Sequence, residues 1–247
     1  MSEKQLEVAP CQVCGSHPPQ LFIRHLDYAL YECMECRLIY LNPMPTLSEI
    51  EQIYDDAYNG TREGYFLKIP QKIRRAHKRV SRISRLIGGG RFLDVGCNGG
   101  FMVAVAQEQG FEAYGIDLDA VSISWAKEHY PSGQFVRTRI EEYENTEPFD
   151  VIYCSEVIEH VTNANDFVAA IVTRLRPGGF LYLTTPDISH WRRPRDVRRW
   201  DAFCPPSHCL YFNPRNLSKL LEKHKLKVYH QFLAFKPGIK LLAQRQN

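Results

Sequence analysis

No apolar run in this 247-residue chain approaches the ~18 residues that a membrane-crossing helix needs, so a helical span is excluded. The opening residues Met1-Ser2-Glu3-Lys4-Gln5 lack the apolar stretch of an export signal, and a cytoplasmic location is expected. Low-complexity tracts and internal repeats are absent, which removes disordered linkers and solenoids from consideration. A net charge of +3 is too small to indicate a nucleic-acid partner by itself. One further absence is local. Counting from Gly96, the chain reads Gly-Cys-Asn-Gly-Gly, so Asn98 stands where the Gly-x-Gly-x-x-Gly turn of a dinucleotide site has its middle glycine. Asp94, two residues ahead of the turn, repels a pyrophosphate.

The turn itself is well formed for a ligand. Arg91 to Val95 is an apolar strand that runs into Gly96, and a helix follows from Phe101 to Gln109. Glycines let the backbone approach a ligand, and the helix amides point at it. About 20 residues on, Phe111 to Ile116 forms a second apolar run ending in Asp117, whose carboxylate is placed to accept both hydroxyls of a ribose. An acid beside the turn suits a zwitterion carrying a cationic sulfur and an ammonium group. At Asn98 the turn needs a residue tolerant of unusual dihedrals, and Asn is the best non-glycine choice.

With Asp94-Val95-Gly96-Cys97-Asn98-Gly99-Gly100 the chain resembles the class I S-adenosylmethionine (SAM) dependent methyltransferases, whose first motif is Asp/Glu-x-Gly-x-Gly-x-Gly. The likeness covers roughly Gly88 to Phe235 and departs from the motif at Asn98. It implies SAM as cofactor. Asp94, Gly96, Cys97, Asn98, Gly99 and Gly100 would serve its methionine side and Asp117 its ribose, with Leu118, Arg139, Ile140 and Cys154 completing the site.

Downstream segments are consistent with that fold. Gln134–Val136, the nearly continuous apolar run Phe149–Cys154, and Phe180–Thr185 read as strands. Between the last two, Asn165–Arg174 reads as a helix that Arg176-Pro177-Gly178-Gly179 stops. Pro214–Lys223 is a last helix, capped by Asn213, and 227–235 with 239–244 forms a closing antiparallel pair around Pro237-Gly238. Strands alternating with helices argue an α/β fold with a doubly wound sheet, and the resemblance implies the Rossmann-like, seven-stranded sheet of the class I methyltransferases. The expected organisation is a module at 1–45, a helical linker or lid at 46–87, and the cofactor domain at 88–247, with a substrate-covering insertion at 191–212.

Four of the eight cysteines form two knuckles, Cys11-x-x-Cys14 and Cys33-x-x-Cys36, with 18 residues between them. That spacing lets four thiolates converge on one tetrahedral zinc with no position left for water, which is a structural site. Two disulfides are the alternative, and the absence of an export signal disfavours them. A segment of this size buries little core, so metal binding supplies folding energy. The run Cys33 to Pro45 resembles the zinc-ribbon front end of a subset of these methyltransferases. Gly15 assists the first turn, and Cys97 and Cys154 also read as small core residues.

After the fourth strand comes Ser155-Glu156-Val157-Ile158-Glu159-His160. As one turn opening a helix, Glu156, Glu159 and His160 share a face at the carboxyl edge of the sheet. Acids in a first helical turn are favoured by the dipole with or without a metal. Glu-x-x-Glu-His with the later His208 resembles the ubiquinone-biosynthesis O-methyltransferases and the small-RNA 3′-terminal 2′-O-methyltransferases. That likeness implies magnesium or a similar divalent ion on Glu156, Glu159, His160 and His208. A bound cation lowers the pKa of a hydroxyl nucleophile and fixes its oxygen in line with the methyl. Without an ion, His160 or His208 is the candidate general base.

Basic residues fall in two stretches. Arg74 to Arg85 is spaced for a helix with Ile73, His77, Val80 and Ile83 or Ser84 on the opposing side, so its charges read as a solvated face. Trp191, Arg192, Arg193 and Trp200 are candidate substrate residues, since arginine with aromatics clamps a phosphate, carboxylate or sugar. The function expected is transfer of a methyl from SAM to a hydroxyl of a small, anionic or carrier-linked acceptor such as a sugar, phenol or secondary metabolite. RNA 2′-O-methylation, and a non-catalytic zinc-ribbon binding module on the same scaffold, are the alternatives.

Overall fold

The computed structural model describes residues 8–50, 52 and 68–247. Near its start, β1 (Gln20–His25), β2 (Tyr28–Glu32) and β3 (Ile39–Leu41) make an antiparallel meander. Helix α1 (Ile69–Ile87) follows, then β4 (Gly90–Val95), α2 (Phe101–Glu108), β5 (Phe111–Asp117), α3 (Ala120–His129), β6 (Gln134–Arg137) and β7 (Phe149–Ser155). A short 3₁₀ turn at Ile158–His160 leads to α4 (Ala164–Arg174) and β8 (Leu175–Thr185). A second 3₁₀ turn (Val197–Arg199), β9 (Leu210–Tyr211), α5 (Pro214–Lys223), β10 (Leu226–Gln231) and β11 (Ile239–Arg245) complete the chain.

The main sheet has seven strands in the order β10-β11-β8-β7-β4-β5-β6, parallel except for β11, which runs antiparallel to both its neighbours. The chain moves outward from β4 to β5 and β6, then returns to β7 on the other side of β4. Such a switch point opens a crevice at the carboxyl ends of β4 and β7, where ligands bind in open α/β sheets. Side chains of the central strands alternate between two cores. Phe92, Val151 and Tyr153 join the face covered by Ala76, Val80 and Ile83 of α1. Leu93, Val95, Ile152 and Cys154 join the other face, which is continuous with the core of the cysteine module. Val80 and Ile83 are fully buried and each contributes about 1.5–3 kcal/mol, an upper estimate for side chains removed from water.

Start signals are satisfied by side chains. The Asn213 side chain accepts from the Asn216 amide while Asn216 bonds back, closing a capping box with Pro214 in the first turn. Asn163 and Asp119 cap α4 and α3 in the same manner.

Two boundaries and one helix face differ from expectation. β8 begins at Leu175, because Leu175 already pairs with Phe149 and the backbone at Gly179 lies against the carbonyls of Phe149 and Asp150, where a Cβ would come within 3.2 Å. β10 ends at Gln231, and the chain leaves the sheet with Leu233 and Phe235 exposed. On α1 the inward position expected for His77 is taken by Ala76, and His77 points to solvent. Much of the 46–87 stretch lies outside the described residues. The meander gains a fourth strand by pairing β3 with β9, Ile39 opposite Tyr211 and Tyr40 opposite Leu210. No helix among the described residues is long and apolar enough to cross a membrane.

Candidate active site

The glycine turn after β4 is held at both ends. Gly96 and Cys97 both donate to the Ile116 carbonyl at 2.9 Å. Gly96, Asn98 and Gly100 take φ values of 76°, 49° and 74°, so Asn98 carries the left-handed conformation that a glycine usually supplies. Its own side chain steadies the turn by accepting from Gly99 N at 2.7 Å. Asp117 ties the turn to the end of β5: Oδ2 accepts from Asn98 N at 2.7 Å and Oδ1 from Asp119 N at 2.9 Å. A carboxylate has about four lone-pair sites, so each oxygen retains capacity for a ligand hydroxyl. Burial raises the pKa of Asp117, opposed by the amides of Asp119 and Asn98.

A cleft of about 1090 Å³ opens at this edge, and its wall includes Gly96, Asn98, Asp117, Leu118, Arg139 and Ile140. It continues past Glu156 and His160 to Thr162, Asp166 and Ser207. Asp94, Cys97, Gly99, Gly100 and Cys154 do not form the wall. The Cys97 sulfur turns inward against Gly115, where a Cβ would approach it to 2.8 Å, and Cys154 is wholly buried in β7. Gly100 opens α2 beneath Phe135. Asp94 lies buried, and desolvation, then the neighbouring Asp117, push its pKa well above the carboxylate range while Arg79 opposes the shift.

Arg79 is a residue the sequence reading assigned to a solvated face. It reaches in from α1 to bond the Tyr153 hydroxyl, with Ser155 Oγ at 3.4 Å. The signal available in the sequence was its spacing from Ala76 and Ile83, which places it beside the buried stripe.

The segment after β7 is not the opening of a regular helix. Glu156 sits at φ 58°, an uncommon conformation for a residue with a Cβ, and a 3₁₀ turn follows. Thr184 fixes it twice: its carbonyl accepts from Glu156 N at 2.9 Å and its hydroxyl donates to Glu156 Oε1 at 2.7 Å. Glu159 points inward, with Oε2 accepting from Thr185 Oγ1 at 2.8 Å and Oε1 buried without a hydrogen-bond partner. Burial and the adjacent Glu156 carboxylate raise the Glu159 pKa well above its usual range.

Ligand atoms of Glu159, His160 and His208 lie within 4.8 Å of one another; Glu156, expected as a fourth member, is outside this group. The two imidazoles meet edge to face at 4.5 Å. Each Nδ1 lies 2.8 Å from a backbone carbonyl, Ser207 for His160 and Ala202 for His208. A carbonyl only accepts, so both Nδ1 atoms carry the proton and both Nε2 atoms are the acceptor nitrogens. Burial and the neighbouring His208 lower His160 to about 3, and burial lowers His208, so both rings are neutral. A buried carboxylate oxygen lacking a donor and two neutral imidazoles oriented by carbonyls suit a divalent ion.

The expected substrate residues Trp191, Arg192, Arg193 and Trp200 are not on the cleft wall. Trp200 is 9% exposed and belongs to the larger core. Trp191 is 82% exposed, with Arg192 over its ring, and Arg192 Nη1 donates to the Phe235 carbonyl at 3.2 Å. Arg193 turns back to the Pro194 carbonyl at 2.9 Å. The loop is tied to the loop after β10 through His190 and Arg192.

Cys11, Cys14, Cys33 and Cys36 converge, with all four sulfurs within 4.8 Å of one another. The Cys11–Cys36 and Cys14–Cys33 sulfur separations are 3.5 and 3.4 Å. Disulfide sulfurs lie about 2.05 Å apart, whereas a tetrahedron with Zn–S near 2.3 Å has edges of about 3.8 Å. The donor set therefore fits zinc. The two knuckles turn alike: Gly15 (φ 73°) donates to the Cys11 carbonyl and Arg37 (φ 63°) to that of Cys33.

The model of a family described as "Methyltransferase domain" matches residues 65–231. The ubiquinone biosynthesis O-methyltransferase of Rhodopseudomonas palustris strain BisB18 is 28% identical over 176 residues, 64% of this chain and 66% of that protein. Its counterpart from Rickettsia typhi is 33% identical over 121 residues, 47% of this chain and 46% of that protein. The match thus spans between about half and two thirds of the length of these relatives. Among solved structures, the 1,6-didemethyltoxoflavin N1-methyltransferase of Burkholderia thailandensis, with bound 1,6-didemethyltoxoflavin and S-adenosylhomocysteine, superposes with a TM-score of 0.63 at 16% identity, covering 92% of this chain and all of that one. The magnesium protoporphyrin IX methyltransferase of Synechocystis, with bound S-adenosylhomocysteine, gives 0.61 at 15% identity, covering 79% and 100%. With its seven-stranded sheet and the family match, the chain belongs to the class I SAM-dependent methyltransferases.

Proposed function

We propose that this chain transfers the methyl group of SAM to a hydroxyl oxygen of a small acceptor carrying an anionic group. The observation that carries the reading is one cleft with Asp117 in one wall and the Glu159–His160–His208 group, reached through His160, at the other end. Asp117 takes the ribose hydroxyls, Leu118 and Ile140 flank the adenine with Arg139, and the backbone of 96–100 turns around the methionine portion. Arg79 binds the methionine carboxylate, and Asp94 answers the cationic end of the donor. The bound donor supplies an electrophilic methyl on a sulfonium, so the protein's work is alignment. Glu159, His160 and His208 would hold a divalent ion, which would supply Lewis-acid activation of the acceptor hydroxyl. Glu156, fixed by Thr184, stands beside Glu159 and accepts the released proton. The four cysteines hold one structural zinc.

The anionic class of the acceptor is supported by cations at this edge. Lys240 of β11 pairs with Thr184, so its side chain shares that residue's face of the sheet. Burial, then Arg79 and Arg82, lower the pKa of Lys240, with Glu156 opposing them and Lys78 adding to the lowering. Lys78, Arg79, Arg82 and Lys240 form no salt bridge among the described residues. Lys78, Arg82 and Lys240 are not on the cleft wall, but they add positive charge on the sheet face that Thr184 shares, and such charge would attract an acceptor anion.

Calorimetry with S-adenosylhomocysteine, followed by turnover on paired phenols with and without a carboxylate, tests the reading. The expected result is cofactor binding and faster methylation of the carboxylated member, with the rate difference reduced in Lys240→Met. No methylation of any hydroxyl acceptor, with the cofactor product bound, would leave the binding-module alternative.

A further inference from the structure

The cysteine module touches the catalytic part of the chain through hydrogen bonds that end beside the reacting group. Gln12 lies between the first two cysteines, and its side chain is fully used across the interface. Its Oε1 accepts from Ala164 N at 2.8 Å, and its Nε2 donates to the Thr162 carbonyl at 2.8 Å. The Gln12 carbonyl accepts from Asn165 Nδ2 at 2.7 Å. These three partners lie within the five positions that follow His160, at the start of α4. On the second knuckle, Asn213 and Asn216 both donate to the Cys36 carbonyl, at 3.3 and 3.2 Å. Beyond the second knuckle, Leu41 N donates to the Cys209 carbonyl at 3.0 Å, and Cys209 N donates to the Glu159 carbonyl at 2.8 Å. Glu159, His160 and His208 are therefore each within a few residues of a bond that originates in the cysteine module.

We propose that the zinc ribbon is the positioning element of the reacting centre, and that Gln12 is the positioning residue that sets His160 against His208. The inference rests on the reading of Glu159, His160 and His208 as that centre. Local sequence around His160 does not hold it by itself. The residue ends a single 3₁₀ turn, the preceding Glu156 has a left-handed backbone, and the His160 ring takes its tautomer from Ser207, 47 positions away. An amide bridging Thr162 and Ala164 fixes the exit of that turn relative to the knuckle. Four thiolates on one metal fix the knuckle, since residues between two ligands of a Cys-x-x-Cys turn lose their freedom when both sulfurs are bound. Gln is suited to the task because one end accepts from an orphan amide of the α4 start and the other donates to a carbonyl. Glu retains the first bond and loses the second; Ala loses both.

The test uses the full chain, zinc-loaded, with ¹⁵N-labelled histidine, as wild type, Gln12→Ala and Gln12→Glu. Zinc content and affinity for S-adenosylhomocysteine report the ribbon and the cofactor end separately from the centre. In Gln12→Ala we expect one zinc per chain and cofactor-product affinity within twofold of wild type. We also expect loss of the single Nδ1–H tautomer signal of His160 and amide exchange in residues 160–166 faster by about tenfold or more. Gln12→Glu should restore the tautomer signal and most of the protection. An unchanged His160 signal and unchanged exchange in Gln12→Ala would overturn the proposal. Loss of zinc or of cofactor-product binding in that variant would overturn it too, since Gln12 would then be a general folding contact. Neither readout requires turnover, so failure of the O-methylation reading would be seen separately.

Discussion

The two groups of ligand-type side chains in this molecule, among the described residues, differ in donor chemistry and in access to the cleft. The Cys11–Cys14–Cys33–Cys36 group offers four sulfurs from two matching turns, and protein fills every position of its tetrahedron. The Glu159–His160–His208 group offers one carboxylate and two neutral imidazoles, and it borders a cleft of about 1090 Å³ through His160. Three protein ligands with an accessible side leave room for a substrate oxygen; four leave none. Charge follows the same division. In the cysteine group the Cys36 hydrogen bond lowers the Cys11 thiol, while the Cys11 hydrogen bond and burial raise Cys36. In the second group burial raises Glu159 and lowers His160 and His208, so all three resist charge. The contrast is between a closed set of four sulfurs and a set of titratable groups held under the strain of burial beside a cleft.

The largest effect should come from emptying the first group. Binding free energy of zinc in such sites is about 10–16 kcal/mol and is largely folding energy. Cys33→Ser should therefore abolish zinc retention and the cooperative unfolding of residues 8–50, read by metal analysis and calorimetry. A zinc-free variant with an unchanged melting curve would end the structural assignment.

Breaking the second group should spare the fold. His160→Ala should reduce turnover by about 100-fold or more, the range for a positioned catalytic group, with cofactor-product affinity within threefold. Equal loss of both would merge the two ends of the cleft into one structural unit.

A smaller effect is expected at the cofactor end. Asp117→Ala should weaken S-adenosylhomocysteine binding at least tenfold, about 1.4 kcal/mol, by calorimetry.

Asp94 tests the strain argument with the smallest change. Burial raises its folded pKa, so above about pH 3.9 the unfolded chain releases a proton that the folded chain keeps. More protons bound in the folded state means that stability falls as pH rises through that window. Asp94→Asn removes the penalty and should stabilise the cofactor-free protein by about 0.5–2 kcal/mol at neutral pH, while weakening cofactor binding. Destabilisation in denaturant titration would show that the buried acid is compensated.

Signals carried by local spacing were legible in the chain. The glycine turn, Asp117 at a strand end, the Cys-x-x-Cys pairs and the Asn213-Pro214 helix start each need only a few neighbouring residues to be read. Asn98 was legible for the same reason, since its φ of 49° follows from replacing a turn glycine. What could not be read depends on tertiary packing. Trp200 and Trp191 are alike in sequence, yet one is in the core and the other is 82% exposed, because the 190–193 turn is tied to the loop after β10. Arg79 and Gln12 act through partners 74 and 150 or more positions away, so no window of the sequence contains their meaning.

The central claim is that a single cleft presents the donor's sulfonium end to the Glu159–His160–His208 group. A crystal structure of the chain with S-adenosylhomocysteine measures it directly. The account predicts the ribose hydroxyls on Asp117 and the sulfur facing His160 across a space sized for an acceptor oxygen. A cofactor product bound with its sulfur directed away from His160, or bound outside this cleft, would contradict it.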